Sequence, residues 1–233
     1  MPWYEEFDRK VREYLPDLAL RQEEPMREHC SFRVGGPARR MAFPGTGEQL
    51  VILLGLAEEC GIRPFLLGRG TNLLVSDRGL DTLVIKTAER MTSIRRFTGD
   101  QAEFAYRHSR FLEDGAVVLG AAVRLTPDDP AAIRQRMDDL MARRKASQPL
   151  EWPSAGSTFK RPEGYYAGTL IDQTGLKGLT VGGAQVSEKH AGFVINTGSA
   201  TCADVRELIR RVQEAVYRAH GVRLDPEVRF VGE

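Results

Sequence analysis

A chain of 233 residues with 42% hydrophobic content can bury the core of one large domain or two modest ones, which excludes a disordered polypeptide. Its 33 basic and 32 acidic residues nearly cancel, so the charge balance points to neither nucleic acid nor an anionic membrane as the main partner. Glu5, Glu6, Asp8 and Glu13 spoil any secretory leader, no stretch reaches bilayer length, and Cys30, Cys60 and Cys202 form neither a metal spacing nor an even set, so a reducing cytoplasm is expected.

Phe7, Val11, Tyr14 and Leu15 fall on one helical face, predicting an amphipathic helix that ends before Pro16. Met41 to Phe43 reads as a short strand. Glu48 to Cys60 reads as a helix with Leu50, Val51, Leu53, Leu54 and Ala57 inward, closed by Gly61. Pro64 to Leu67, Leu73 to Val75 and Thr82 to Lys86 are strand candidates separated by glycine-containing turns. Glu89 to Gln101 lacks alternation and reads as a junction. Ala116 to Leu125 resumes as a strand, and Asp128 to Arg144 as a helix whose inward stripe is Ile133, Met137, Leu140 and Met141.

From Ser147 to Tyr166, Pro149, Pro153, Gly156, Pro162 and Gly164 interrupt any regular element, and a loop of that length in a compact protein is usually functional. Gly178 to Ala184 and Lys189 to Asn196 read as short strands joined by glycine turns. Thr201 can cap a helix, with Asp204 an approximate capping-box partner. Val205, Leu208, Ile209, Val212 and Val216 form its stripe before Gly221. Glu227 to Val231 alternates like a strand with one polar face, on which Glu227 and Arg229 would sit together.

Chemistry concentrates in a few places. Gly68 and Gly70 bracket Arg69 and lead into Thr71 and Asn72 between two strand candidates. Such a turn could expose successive backbone N–H groups to an anion, or be an ordinary turn. It has neither the Gly-x-Gly-x-x-Gly spacing of the dinucleotide fold nor a P-loop ending. Gly35, Gly36 and Pro37 make a second tight turn with the same two readings. In the run from Ser154 to Pro162, small residues would let a ligand approach the backbone. Ser157 offers a proton there, but no histidine at a readable position could activate it as a nucleophile. Arg107, among Phe104 and Tyr106, could clamp a carboxylate or merely lie over the rings. His29, His108, His190 and His220 have no metal-site spacing, so no metal is expected.

Taken together, these runs resemble the UDP-N-acetylenolpyruvoylglucosamine reductases, also called UDP-N-acetylmuramate dehydrogenases or MurB, in the shorter subclass. The resemblance is carried by Ser31 to Ala38, Gly68 to Asp77, Tyr106 to Ser109, Gln148-Pro149 with Pro153 to Lys160, His190 to Asn196, and Glu227 to Phe230. It implies an α+β fold in which two subdomains bind FAD and a C-terminal α+β domain binds substrate. Residues 1–90 would be the first flavin subdomain, 91–147 joined by 222–233 the second, and 148–221 the substrate domain.

By the same resemblance, Gly35, Gly36, Pro37, Gly68, Arg69, Gly70, Thr71, Asn72 and Arg229 would contact FAD, and Lys145 and Arg161 the substrate. NADPH would reduce the flavin, and UDP-N-acetylenolpyruvoylglucosamine would then be reduced, for peptidoglycan precursor synthesis. Ser157 would be the proton donor, while Arg107 and a protonated Glu227 would steady the enolate-like carboxylate. No obligate protein partner is implied. The family also carries several tens of residues between the strand at Val84 to Lys86 and the run at Phe104 to Arg107, including Gly-Ile-Pro-Gly and Met-Asn-Ala-Gly-Ala-Tyr segments. Neither is present here, which implies an internal deletion between about residues 87 and 103, a truncated second flavin subdomain, and FAD binding that is weak or lost, the alternative being a UDP-sugar-binding module without flavin or activity.

Overall fold

The computed structural model describes residues 2–87, 97–105, 108–113, 118 and 121–232. The first helix, α1 (Trp3–Tyr14), buries Phe7 and Val11, and Leu15 just beyond it is buried as well. Tyr14, expected on that face, is 58% exposed, because the last turn runs past the core and leaves a polar-tipped ring in water.

Strand β1 (Ala19–Pro25) was not readable from the sequence. Arg21, Gln22 and Glu23 are all exposed and Glu24 is buried, so no apolar alternation marks it. A 3-10 turn at Met26–Glu28 follows, then β2 (Pro37–Phe43), longer than expected and starting at Pro37. Helix α2 (Gly47–Glu59) is capped by Thr46, whose hydroxyl accepts from Gln49 N at 3.2 Å. Leu50, Leu53, Leu56 and Ala57 face inward, but Val51 lies about 100° from Leu50 and is 63% exposed, contrary to expectation.

Strands β3 (Phe65–Leu67), β4 (Leu73–Val75) and β5 (Leu80–Lys86) occur where the apolar runs predicted them. One sheet has the order β1-β2-β5-β3, with β3 parallel to β5. The chain forms two compact units. One comprises Met1–Arg21, Met41–Gly68 and Leu83–Pro127; the other Gln22–Arg40, Arg69–Thr82 and Asp128–Glu233. In the first, α1 packs on α2, and Phe7, Val11, Leu15, Leu53, Leu83 and Ile85 belong to one buried cluster.

Of the junction expected from Glu89 to Gln101, only residues 97–101 are described, and Asp100–Ala102 make a 3-10 turn. Helix α3 (Arg110–Glu113) is a single turn. The strand expected over Ala116 to Leu125 is absent at the described positions, where Val118, Val123 and Leu125 are 59%, 75% and 79% exposed. Alternation makes a strand only where a neighbour completes its hydrogen bonds, and none is there among the described residues.

Helix α4 (Pro130–Ser147) forms as expected, with the Asp129 carboxylate accepting from Ala132 N at 2.9 Å and proline in its first turn. Its burial is not as expected. No residue of α4 is buried, and Ile133, Met137, Leu140 and Met141 form an exposed apolar stripe. Nothing among the described residues covers it.

The second unit is built on α6 (Cys202–His220). Val205, Leu208, Ile209, Val212 and Val216 are buried on one face. The capping box is complete, with Asp204 N bonded to Thr201 Oγ1 at 3.1 Å and Thr201 N to Asp204 Oδ2 at 3.0 Å. The Thr201 N–H foremost, with the Thr201 hydroxyl and the Gly183 N–H, holds the Asp204 carboxyl below its ordinary range against the opposing effect of burial. Against α6 pack α5 (Ala167–Gln173), which the sequence did not announce, and an antiparallel sheet β6 (Thr180–Val181), β7 (Ala184–Val186) and β8 (Val194–Asn196). The strand expected from Gly178 to Ala184 is split at Gly182-Gly183 into a hairpin, as a Gly-Gly turn favours. Strand β9 (Arg229–Val231) pairs in parallel with β4, Leu73 opposite Arg229. No helix among the described residues is long and apolar enough to cross a membrane.

Candidate functional site

The turn after β3 is shaped by Gly70. Its φ is +63°, and a β-carbon there would run into His29 O and stand 3.0 Å from Cys30 Cα, so only glycine fits without moving main chain. Ser31 N donates to Gly70 O at 3.0 Å and pins the turn from below. The N–H groups of Gly70, Thr71 and Asn72 donate to nothing among the described residues. Arg69 and Thr71 are exposed beside them. Successive unpaired amides about a left-handed residue are what an anion-binding nest requires. Gly68 has no neighbour within 4 Å of a notional β-carbon, so the chain's own packing does not demand glycine there.

The turn at Gly35-Gly36-Pro37 differs. Gly36 N donates to Ser76 O at 2.9 Å, Gly36 O accepts from Met26 N at 3.2 Å, and a β-carbon on Gly36 would lie 2.6 Å from Gly79 N. Internal packing alone accounts for that glycine. Pro37 opens β2.

Ser157, exposed, stands next to Thr158, which is fully buried. Thr158 is fixed on three sides. Its N–H donates to Gly192 O at 2.9 Å, its hydroxyl accepts from Val194 N at 2.9 Å, and its carbonyl accepts from Glu227 N at 2.8 Å. Glu227, half-buried, accepts at its carbonyl from Asn72 Nδ2 at 2.9 Å, and Arg229 N donates to Asn72 O at 3.0 Å. One hydrogen-bonded seam therefore joins Thr158, the neighbour of Ser157, and Glu227 and Arg229 to Asn72 at the end of the turn. Within it, Asn72 Oδ1 is buried with no hydrogen-bond partner among the described residues. Glu227 does not share a strand face with Arg229 as expected, because β9 begins only at Arg229.

Other expected residues lie apart. Arg161 is exposed, its guanidinium 4.0 Å from the centre of the Tyr166 ring. Lys145 is exposed in the last turn of α4, and no hydrogen bond or ion pair among the described residues ties it to the seam. Arg107 lies outside the described residues. Among the described residues, no group of three or more His, Cys, Asp or Glu side chains could hold a metal.

Two further polar side chains brace the second unit and carry no local signal in the sequence. Asn196, 3% exposed, sends Nδ2 to Phe32 O at 3.0 Å and accepts at Oδ1 from Gly198 N at 2.8 Å and Ala200 N at 3.1 Å. The Asp77 carboxylate accepts from Cys202 N at 2.8 Å and Ala203 N at 3.1 Å, tying the segment after β4 to the positive end of α6. Neither pairing is local, so no spacing could have revealed it.

Comparison with known proteins agrees with this arrangement. The profile of the UDP-N-acetylenolpyruvoylglucosamine reductase C-terminal domain matches residues 148–231. A UDP-N-acetylenolpyruvoylglucosamine reductase of Agathobacter rectalis is 37% identical over 310 positions, covering 97% of this chain and 98% of that one. Another, from Caldanaerobacter subterraneus subsp. tengcongensis, is 35% identical over 294 positions, covering 96% and 97%. The crystal structure of UDP-N-acetylenolpyruvylglucosamine reductase (MurB) from Thermus caldophilus superposes with a TM-score of 0.71 at 27% identity, covering 91% of this chain and 98% of that one. Because 310 aligned positions exceed the 233 residues of the chain, many positions of the first relative stand opposite gaps, which accords with a truncated flavin subdomain. With a mixed α+β fold and near full-length similarity on both sides, the chain belongs to the UDP-N-acetylenolpyruvoylglucosamine reductase family, a family of oxidoreductases.

Proposed function

We propose that this protein is an NADPH-dependent flavoenzyme that reduces UDP-N-acetylenolpyruvoylglucosamine to UDP-N-acetylmuramate in the cytoplasm, for peptidoglycan precursor synthesis. The observation that carries the reading is the seam in which Thr158 O, Glu227 and Asn72 are joined by bonds of 2.8 and 2.9 Å. Those bonds support the reading, because they tie Glu227 and the neighbour of Ser157 to the turn proposed to hold an anion.

The residues fit FAD. Unpaired N–H groups of Gly70, Thr71 and Asn72, with Arg69 beside them, suit a pyrophosphate, and the orphaned Asn72 Oδ1 suits a hydroxyl or N–H donor. Bound FAD supplies a two-electron relay, by which hydride leaves NADPH and reaches C3 of the enolpyruvyl group. Ser157 gives its hydroxyl proton to C2, completing reduction of the double bond, and the rigid anchoring of Thr158 fixes where that proton is delivered. Arg107 and Glu227, both assigned by resemblance, would steady the substrate carboxylate, Arg107 by balancing the growing charge on it. Arg161 and Lys145 would meet the UDP phosphates, and Gly35, Gly36, Pro37, Gly68 and Arg229 would line the flavin.

Ser157→Ala tests the central role. Reduction of bound flavin by NADPH should persist, while substrate-dependent NADPH oxidation should fall by about 10²–10⁴-fold, the usual worth of a positioned acid. Wild-type turnover in S157A would overturn the assignment. A second reading is favoured by the surplus of aligned positions and the uncovered stripe on α4: a chain that keeps a UDP-sugar-binding module without flavin or activity. A purified protein whose absorbance spectrum shows stoichiometric flavin would eliminate that reading.

A further inference from the structure

Beneath the Gly70 turn lies a buried acid–imidazole pair that the proposed chemistry does not use. His29 Nε2 stands 2.8 Å from Glu24 Oε1, and the two side chains are 11% and 10% exposed. Both residues belong to the same compact unit as the turn. Glu24 is held in β1, and His29 follows the 3-10 turn at Met26–Glu28, its N–H bonded to Met26 O at 2.9 Å. The carbonyl of His29 is the atom on which Gly70 rests, and two residues later Ser31 N donates to Gly70 O at 3.0 Å. Whatever fixes His29 therefore fixes the floor of the turn from one side and its hydrogen-bonded pin from the other.

We propose that Glu24 and His29 are positioning residues for the Arg69–Asn72 nest, the imidazole–carboxylate bond holding the His29–Ser31 main chain at the height at which the nest amides stay aligned for a pyrophosphate. This rests on reading that turn as the pyrophosphate site of FAD. The physical reason is the one-sidedness of burial. A carboxylate and an imidazole shut away from water are tolerated only while bonded to each other or to further buried groups, so the pair has one low-energy geometry and transmits it to the backbone. A chain held here by apolar packing alone could slide by fractions of an ångström. Gly70, with main chain directly against its α-carbon, allows no such slack on that side.

The test uses the full chain with Glu24→Ala and Glu24→Gln, the second keeping an oxygen to accept the His29 N–H. Two quantities are read: amide hydrogen exchange at Ser31 relative to Thr197, whose N–H bonds Gly183 O elsewhere in the unit, and the dissociation constant for FAD from quenching of flavin fluorescence. In E24A, Ser31 exchange should rise about tenfold with Thr197 unchanged, and FAD should bind about tenfold more weakly, each equivalent to ~1.4 kcal/mol. E24Q should restore both. Equal acceleration of Ser31 and Thr197, an unchanged FAD constant in E24A, or losses in E24Q matching those in E24A would overturn the proposal. Should E24A not fold, E24Q decides, wild-type values supporting the proposal and tenfold losses refuting it. If the wild-type chain itself takes up no FAD, the pyrophosphate reading fails, while Ser31 exchange still decides whether the pair positions the turn.

Discussion

Replacing Asn196 with alanine should destabilise the second unit by an amount that follows from which of its three partners water can reach. Gly198 is exposed and Ala200 half-exposed, so their N–H groups regain a partner from solvent and together cost ~0–1 kcal/mol. Phe32 is fully buried, and its carbonyl loses a 3.0 Å donor where water cannot replace it, a cost of ~1–3 kcal/mol. The total is about 1–4 kcal/mol, against a whole-domain stability of ~5–15 kcal/mol. With a urea dependence of about 2 kcal/mol per molar, the unfolding midpoint should fall by about 0.5–2 M. Trp152 is a suitable reporter, since it precedes Pro153, whose carbonyl accepts from Asn196 N at 2.9 Å. A Trp3→Phe background leaves it the sole indole, the chain having 2 tryptophans. A midpoint shift below about 0.3 M would refute the reasoning, because it would mean that the Phe32 carbonyl gains nothing from Asn196.

Two further outcomes follow from single residues. Gly70→Ala should weaken FAD binding at least tenfold in a fluorescence titration, since an L-residue at a φ of +63° costs ~1–2 kcal/mol and its β-carbon meets main chain. Gly55→Ala, in α2 with open space around a notional β-carbon, should bind as wild type, and equal behaviour of the two would remove the steric argument. Asp204 has a folded-state pKa below its unfolded value, so its contribution to α6 is complete above the ordinary carboxylate range and lost as pH falls through the lowered value. Acid titration followed by helical circular dichroism should show that loss in the wild type and not in Asp204→Asn, and Asp204→Ala should cost about 1 kcal/mol at neutral pH.

Helix α6 was legible because its cap, its 3.6-residue stripe and the closing Gly221 are all local signals, and all agree. Helix α4 was half legible. Its cap and periodicity announced a helix, but a stripe reports what a face could bury and not whether a neighbour exists to bury it. The same gap misled the reading of Ala116 to Leu125 as a strand. Strand β1 was silent because Arg21, Gln22 and Glu23 carry no apolar pattern, and the Glu24–His29 pair because its meaning depends on a turn formed about forty residues later. The Gly68–Asn72 run drew attention for its glycines. The structure divides their labour, Gly70 being demanded by packing and Gly68 by nothing in the chain itself.

The seam also sets the order in which the protein can be completed during synthesis. Asn72 and Glu227 are 155 residues apart, and β4 has no other strand partner than β9 among the described residues. At ribosomal rates of about 5–20 residues per second, roughly 10–30 s separate the emergence of one side of the seam from the other. Through that interval β4 is an unsatisfied sheet edge on the nascent chain, and the nest beside it lacks half its frame. Under the proposed function, FAD binding would therefore be one of the last properties the polypeptide acquires, and a nascent chain stalled short of Glu227 carries the Gly68–Asn72 turn without the strand that frames it.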